Sequence, residues 1–249
     1  MNPRLHFQDR VATITLQRPT VANRLAPDDL PVLIECIACV NQREDVRVLV
    51  LRSEGRHFCS GYDISQIENS QSEGSSFGEM VDVVEQCRAV TIAAIQGGVY
   101  GGATDLALAC DFRVGSMAAD MFMPAARLGL HFYASGLERY VSRLGLDTAK
   151  RLFLTCERLD AEQMKACGFL THLVAHTELD ETVASLAGTL GAMAPLPLSG
   201  MKKHLNLIAC GRQDREAIAR DVQRSVESED LREGGLAWRE KRTPLFKGR

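Results

Sequence analysis

The chain has 249 residues, 45% hydrophobic and 24% charged, with 20 Gly, 8 Pro, 8 Cys and a single Trp. This composition belongs to a soluble globular protein and excludes the collagen-like, disordered and disulfide-scaffold classes; one large domain, or a core with a small subdomain, is long enough to bury a sizeable core. With 29 basic and 32 acidic residues the net charge is −3, and no Lys/Arg run gives nucleic acid or an anionic membrane surface a hold, so neither is expected as a partner.

No apolar stretch reaches the length of a membrane span. Met1 to Arg10 holds two Arg, one Asp and no apolar segment, which argues against secretion. The eight cysteines then read as buried free thiols in a reducing cytoplasm.

In chain order, residues 4–17 predict a β-hairpin turned at Gln8–Asp9–Arg10, with strand Val11–Leu16 leading to Arg18–Pro19. Asp28 to Arg43 places Leu30, Leu33, Ile34, Ile37 and Val40 at helical spacing, an amphipathic helix. Val46–Leu51 is a short β-branched run typical of a buried strand. A Gly-punctuated loop to Gly61, a polar stretch Gln66–Ser76 and a helix from Phe77 to Arg88 follow. Nothing in 66–76 can pack, so it is expected to be a mobile lid. Thr91–Ile95 reads as a second buried strand ending in Gly97–Gly98 and Gly101–Gly102, before helix Thr104–Ala109 and strand Phe112–Gly115. From Leu137 the pattern turns almost wholly helical. Asp160 is the expected N-cap of Ala161–Cys167, Gly168 its stop, and Gly200 to the end is one or two long charged helices. Strands alternating with helices of this size imply α/β layering with ββα or βαβ turns.

Four short motifs carry little. Gly74-Ser75-Ser76-Phe77-Gly78 fits G-x-S-x-G, but a nucleophile elbow needs a buried strand before it and the preceding residues are polar; a serine hydrolase is therefore not expected. Cys36 and Cys39 lie on the apolar face of the first helix and read as core thiols. His172 and His176 flank an apolar strand-like segment, where residues four apart are well separated, so no metal is expected. Gly97–Gly102 lacks the Lys-Ser/Thr of a phosphate loop.

Two glycine loops remain, each after a buried strand: His57-Phe58-Cys59-Ser60-Gly61-Tyr62-Asp63-Ile64 and Gly97-Gly98-Val99-Tyr100-Gly101-Gly102. Ligands of α/β layers bind beyond strand C-termini, and glycine lets the backbone approach them closely. One N–H from each loop, the second at a helix N-terminus, could polarise a carbonyl. Asp105, three residues after Gly102, then falls on the same helix face. Alternatively the glycines are simple turns and Asp105 offsets the helix dipole.

Several stretches together resemble the crotonase (enoyl-CoA hydratase/isomerase) superfamily over essentially the whole chain: Val11–Pro19 with Asn23, Phe58–Ile64, Ile92–Arg113, Pro124…Leu128-Gly129-Leu130, and Arg232-Glu-Gly…Trp238–Arg242. The resemblance implies an α/β crotonase-type spiral of ββα turns spanning 1–195, with a helical region at 196–249 that covers the active site and forms a homotrimer or a dimer of trimers. It implies an acyl-CoA thioester as substrate and no metal or other cofactor, coenzyme A arriving as part of the substrate. Tyr62 and Gly102 are the implied oxyanion donors. Asn23, Ser60, Gly61, Tyr62, Asp63, Ile64, Ser65, Gly101 and Gly102 are the implied CoA-thioester contacts.

The departures from the family pattern matter most. Hydratases of fatty-acid oxidation place Glu where this chain has Asp105, roughly 1.5 Å shorter in reach, and a second Glu where it has Ala125. Tyr133 stands where related isomerases and dehalogenases carry Asp, and Tyr62 is bulkier than the usual small residue. Asp105, Tyr133 and His131 are the expected acid/base candidates, with Arg127 and Glu138 nearby and open to purely structural roles. Hydration of a 2-enoyl-CoA is the expected reaction; decarboxylation, double-bond isomerisation, and a CoA-binding homologue without turnover are the alternatives that Ala125 leaves open.

Overall fold

The computed structural model describes residues 1–63 and 77–249. It opens with an antiparallel hairpin, β1 (Arg4–Gln8) and β2 (Val11–Leu16), turned at Asp9. Helix α1 (Asp29–Gln42) buries Leu30, Leu33, Ile37 and Val40 of the expected stripe, with Cys36 buried beside them and Ile34 only partly covered. Strand β3 (Val48–Ser53) runs parallel to β2. It starts two residues later than the sequence suggests, because the Val46 N–H closes a turn onto the Arg43 carbonyl.

Helix α2 (Phe77–Glu85) stops short of the expected Arg88, whose backbone N–H is taken by Asn41 Oδ1 at 2.8 Å. Then come β4 (Val90–Ile95), β5 (Val99–Tyr100), α3 (Gly102–Ala109), β6 (Phe112–Ser116) and β7 (Asp120–Phe122). Helices α4 (Ala134–Leu144) and α5 (Leu146–Thr155), strand β8 (Leu159–Asp160), helix α6 (Ala161–Ala166) and strand β9 (His172–Val174) follow, and then helix α7 (Leu179–Gly191). The Asp160 side chain caps α6 and Gln163 reaches back to the Asp160 N–H, completing the box.

Six strands form a sheet in the order β1-β2-β3-β4-β6-β9, parallel apart from the opening hairpin, and β5-β7-β8 form a second, smaller sheet. From β4 onward the chain passes back and forth between the two sheets, β4, β6 and β9 joining the larger and β5, β7 and β8 the smaller, with helices after β5, β7 and β8. The α/β reading with ββα turns holds; β9 falls on the strand-like segment after His172, and β8 adds a strand to the part from Leu137 that reads as almost wholly helical.

Parallel strands covered on both faces need apolar residues at consecutive positions. In β3 Leu49 and Leu51 face the main core with Leu33, Ile37, Ile95 and Leu106, while Val48 and Val50 face a second cluster with Ile92, Val114, Leu179 and Val183 of α7. This two-sided burial explains the unbroken run that alternation alone would not predict.

The C-terminal part holds three helices rather than one or two: α8 (Pro195–Ala209), α9 (Arg215–Glu227) and α10 (Glu229–Glu240). Gly200 lies inside α8, and the breaks come from Gly211 at φ +67° and from two N-caps: Asp214 accepts from the Ala217 N–H and Ser228 from the Leu231 N–H. Buried Lys202 ties α8 to the sheet, donating to the Ala89 carbonyl and pairing with Asp111 at 2.7 Å each. Among the described residues no single helix is long and apolar enough to cross a membrane.

Truncating Ile95 to Ala, at a position with 0% exposure, is expected to lower the unfolding free energy by about 2–5 kcal/mol in urea titration. Leu154→Ala, at 73% exposure, should stay within about 0.5 kcal/mol of the parent. Equal losses at the two positions would contradict this assignment of the core.

Candidate active site

The first loop is braced from beneath by Asn23. Its side chain donates to the carbonyls of Glu54 (2.8 Å) and His57 (2.9 Å) and accepts from the Arg18 N–H (2.9 Å), while its own backbone sits at φ 54°. Asparagine tolerates that left-handed conformation better than most residues. Buried and fully engaged, its side chain shapes the loop. Ser60 is held in the same way: its N–H donates to the Ala22 carbonyl and its hydroxyl to that of Val21.

Gly61 brings the two loops together. Its φ is +91°, and a Cβ there would lie 2.8 Å from the Tyr100 carbonyl oxygen and 3.0 Å from the Gly102 nitrogen. Only glycine permits that approach. On either side of Tyr62 the backbone is pinned: Leu25 donates to the Gly61 carbonyl and Asp63 to the Leu25 carbonyl, both at 2.8 Å. In the second loop Gly101 N–H goes to Phe122 and Thr104 N–H to Gly101. Among the described residues, the Tyr62 and Gly102 N–H groups donate to nothing. Gly102 is the first residue of α3, so its N–H has no intrahelical acceptor and lies at the positive end of the helix. Two free donors on touching loops are what a polarised carbonyl oxygen takes.

Asp105 follows in the first turn of α3, with 0% exposure. Its Oδ1 accepts from Arg139 Nε (2.9 Å), and its Oδ2 from Arg139 Nη2 (3.2 Å) and from the Tyr133 hydroxyl (2.5 Å). Arg139 is itself buried on α4 and also grips Asp82 (2.9 Å) and Glu85 (2.6 Å) of α2; Arg143 meets Glu85 at 3.0 Å. Burial pushes the Asp105 carboxyl up, and the Arg139 charge and the Arg139 and Tyr133 hydrogen bonds pull it back. Burial and then the Asp105 charge push the Tyr133 phenol well above its ordinary range. Burial works against the Arg139 charge, yet Asp105, Glu85 and Asp82 hold its pKa above the usual value. Cys59, beside the donors, is pushed up to about 12 by burial and is inert as a thiol.

The remaining candidates divide. His131 is exposed and its Nδ1 meets the neighbouring Phe132 carbonyl at 2.7 Å; no hydrogen bond joins it to Asp105. Ala125 is buried in the turn after Pro124, whose Cδ lies 3.9 Å from a Cβ built on Gly101. Arg127 is exposed, 3.4 Å from the Thr155 carbonyl, and Glu138 is 3.8 Å from Arg212 on the surface. Ile64, Ser65, the expected lid at 66–76 and most of Gly74–Gly78 lie outside the described residues.

Two further residues, neither marked for this role by its sequence, stand beside Asp105 and Gly102. Arg139 falls with Gly136, Tyr140 and Leu144 on the buried stripe of α4, and an arginine on such a stripe signals a buried carboxylate. Phe77 has its ring against Gly102, where a Cβ would meet Phe77 Cε1 at 2.8 Å, and its centroid is 5.7 Å from Tyr62 and 6.4 Å from Tyr133. Three rings therefore wall the space beside the free N–H of Gly102. Among the described residues no cluster of three or more His, Cys, Asp or Glu has metal-ligand geometry.

Comparison with known proteins gives a consistent set of likenesses. The enoyl-CoA hydratase/isomerase family model matches residues 6–249. The chain is 33% identical over 251 residues to enoyl-CoA hydratase domain-containing protein 2, mitochondrial, of Bos taurus, covering 96% of this chain and 84% of that one. It is 28% identical over 263 residues to the peroxisomal Delta(3,5)-Delta(2,4)-dienoyl-CoA isomerase of Arabidopsis thaliana, covering 98% and 95%. Among solved structures, an enoyl-CoA hydratase/carnithine racemase from Magnetospirillum magneticum superposes with TM-score 0.92 at 25% identity, covering 99% and 96%. An enoyl-CoA hydratase from Bacillus anthracis superposes with TM-score 0.88 at 28% identity, covering 100% of both chains.

Removing Arg139 should leave Asp105 as a buried charge without a counter-ion, while Glu85 keeps only Arg143. Arg139→Met is expected to lower the unfolding free energy by about 3–5 kcal/mol, and pairing it with Asp105→Asn should recover part of that loss in a double-mutant cycle. A loss below about 1 kcal/mol, the scale of an exposed pair, would contradict the buried network.

Proposed function

The chain belongs to the enoyl-CoA hydratase/isomerase family, and from that premise we propose that it acts on acyl-CoA thioesters by stabilising a thioester enolate between the Tyr62 and Gly102 N–H groups. The observation that carries this reading is the pair of unengaged donors on two loops that Gly61 brings into contact. The thioester oxygen gains negative charge as the enolate forms, so donors fixed in advance bind the transition state more strongly than the substrate. The positive end of α3 adds to the same effect. Ser60 to Asp63, with Gly101, run along the CoA moiety; the Tyr62, Phe77 and Tyr133 rings bound the acyl group; Asp105, with Tyr133, moves the proton. The chemistry calls for no metal or redox group. His131, exposed and turned to the Phe132 carbonyl, serves at most at the rim.

Hydration of a 2-enoyl-CoA is the reaction proposed first. Ala125 favours a second reading: with no carboxylate after Pro124 to place a water, double-bond migration or decarboxylation needs only the enolate site and one proton carrier. For assembly we propose a homotrimer or dimer of trimers, supported by exposed apolar side chains on the C-terminal helices: Met201, Leu205, Val222, Val226, Leu231 and Trp238. The eight free thiols favour the cytoplasm.

Loss of the conjugated thioester's ultraviolet absorbance on incubation with crotonyl-CoA tests the reading. The wild type is expected to consume it and Asp105→Asn to do so at least about 100-fold more slowly. Consumption at equal rates would remove Asp105 from the chemistry. A wild type that leaves crotonyl-CoA, a 3-enoyl-CoA and a malonyl-type thioester all unchanged would replace the enzyme by a CoA-ester-binding scaffold.

A further inference from the structure

Asp105 is the acidic residue nearest the Gly102 donor in sequence, yet it is badly placed to touch a substrate. Its exposure is 0%, one oxygen is bound by Arg139 Nε, and the other by Arg139 Nη2 and the Tyr133 hydroxyl. Reaching a substrate carbon would mean breaking those bonds and burying Arg139 against Asp82 and Glu85 alone. Tyr133 is only partly buried, and its ring stands beside Phe77, which itself covers Gly102.

The slot for that ring is built by two glycines on different helices. A Cβ on Gly78 of α2 would lie 2.9 Å from Tyr133 Cδ2, and one on Gly136 of α4 would lie 2.9 Å from its Cε2. Phe132 stacks on it with centroids 4.4 Å apart. Ring and hydroxyl are thus fixed by packing, with the hydroxyl 2.5 Å from Asp105 Oδ2.

We propose that Tyr133 is the group that exchanges protons with the acyl-CoA, and that Asp105 acts only through it, with Arg139 as a positioning residue that holds the carboxylate in place. The proposal rests on the enolate reading above and deepens it. In the forward step the substrate Cα–H bond breaks and its proton bonds to Tyr133 Oη. The proton already on Oη passes to Asp105 Oδ2, and the electron pair stays on the thioester enolate. No phenolate forms, which suits a phenol that burial and the Asp105 charge make a poor acid. Asp105, its carboxyl raised by burial, becomes a neutral acid beside Arg139. In the return step the Asp105 proton moves to Tyr133, and Tyr133 gives its own to Cα, which is exchange, or to Cγ, which is isomerisation. A single two-way relay of this kind requires no second carboxylate, in keeping with Ala125.

The test is deuterium exchange at Cα of a saturated acyl-CoA, with its dissociation constant measured in parallel, for wild type, Tyr133→Phe and Asp105→Asn. The relay predicts that both variants bind the thioester within about threefold of wild type and lose at least about 100-fold in exchange rate. It also predicts a wild-type rate that falls as pH is lowered through the protonation of Asp105, a limb lying above the ordinary carboxylate range and absent from the residual exchange of Asp105→Asn. Asp105 is faced by Arg139 and Tyr140 of α4, by Tyr133, and across Arg139 by Asp82 and Glu85 of α2; none of the other five changes in that variant. Tyr133→Phe exchanging within about threefold of wild type would overturn the relay and return substrate contact to Asp105. Loss of binding in Tyr133→Phe would also overturn it, making the hydroxyl a binding group. No exchange in a wild type that binds the thioester would overturn the enolate reading and the relay together.

Discussion

A single buried cation organises the site. Arg139 sits on α4 with almost no exposure and meets carboxylates from two other helices, Asp82 and Glu85 on α2 and Asp105 on α3. Three acids around one arginine leave an excess of negative charge, which Arg143 at Glu85 helps to offset. Desolvating such a cluster is expensive, and its attraction repays that cost only if the geometry is held. Here the geometry is held by the main core, which packs α2, α3 and α4 through Val81, Val84, Leu106, Leu108 and Tyr140, and by the hydrogen bond between Tyr140 and Thr104. The network thus fixes where the first turn of α3 stands, and with it the Gly102 N–H and the Asp105–Tyr133 pair.

The donors themselves depend on steric permission rather than charge. Asn23 braces the first loop from below and Gly61 lets its backbone lie against the second. A side chain at Gly61 would separate the loops or displace the Tyr100–Gly102 backbone. Phe77 stands against Gly102 with the Tyr62 and Tyr133 rings beside it, and apolar rings next to a donor strengthen the polar interactions it makes.

Much of this was legible in the sequence, for reasons particular to each element. The stripe Leu30, Leu33, Ile37, Val40 fixes α1 by period, and the unbroken run Val48–Leu51 fixes β3 as a strand buried on both faces. The glycine loops stand out because Gly61 and Gly101 take positive φ, and Asp105 because it falls one helical turn after Gly102. The breaks between the C-terminal helices are hard to place from sequence, because a lone Asp214 or Ser228 in charged surroundings gives a weak cap signal. Arg139 and Phe77 carry no local signal, because their roles depend on partners 34 or more residues away, or across another loop. The role of the Asn23 side chain as a brace, likewise, emerges only when Glu54 and His57 fold over it.

The central claim is that the Tyr62 and Gly102 N–H groups polarise a thioester carbonyl. The infrared difference spectrum of a saturated acyl-CoA labelled with 13C at its thioester carbonyl, bound to the protein and free, tests it most directly. The account predicts that the labelled carbonyl stretch moves to lower frequency on binding, as two hydrogen bonds lengthen the C=O bond. A bound ligand whose carbonyl stretch stays at its frequency in water, or rises, would contradict it.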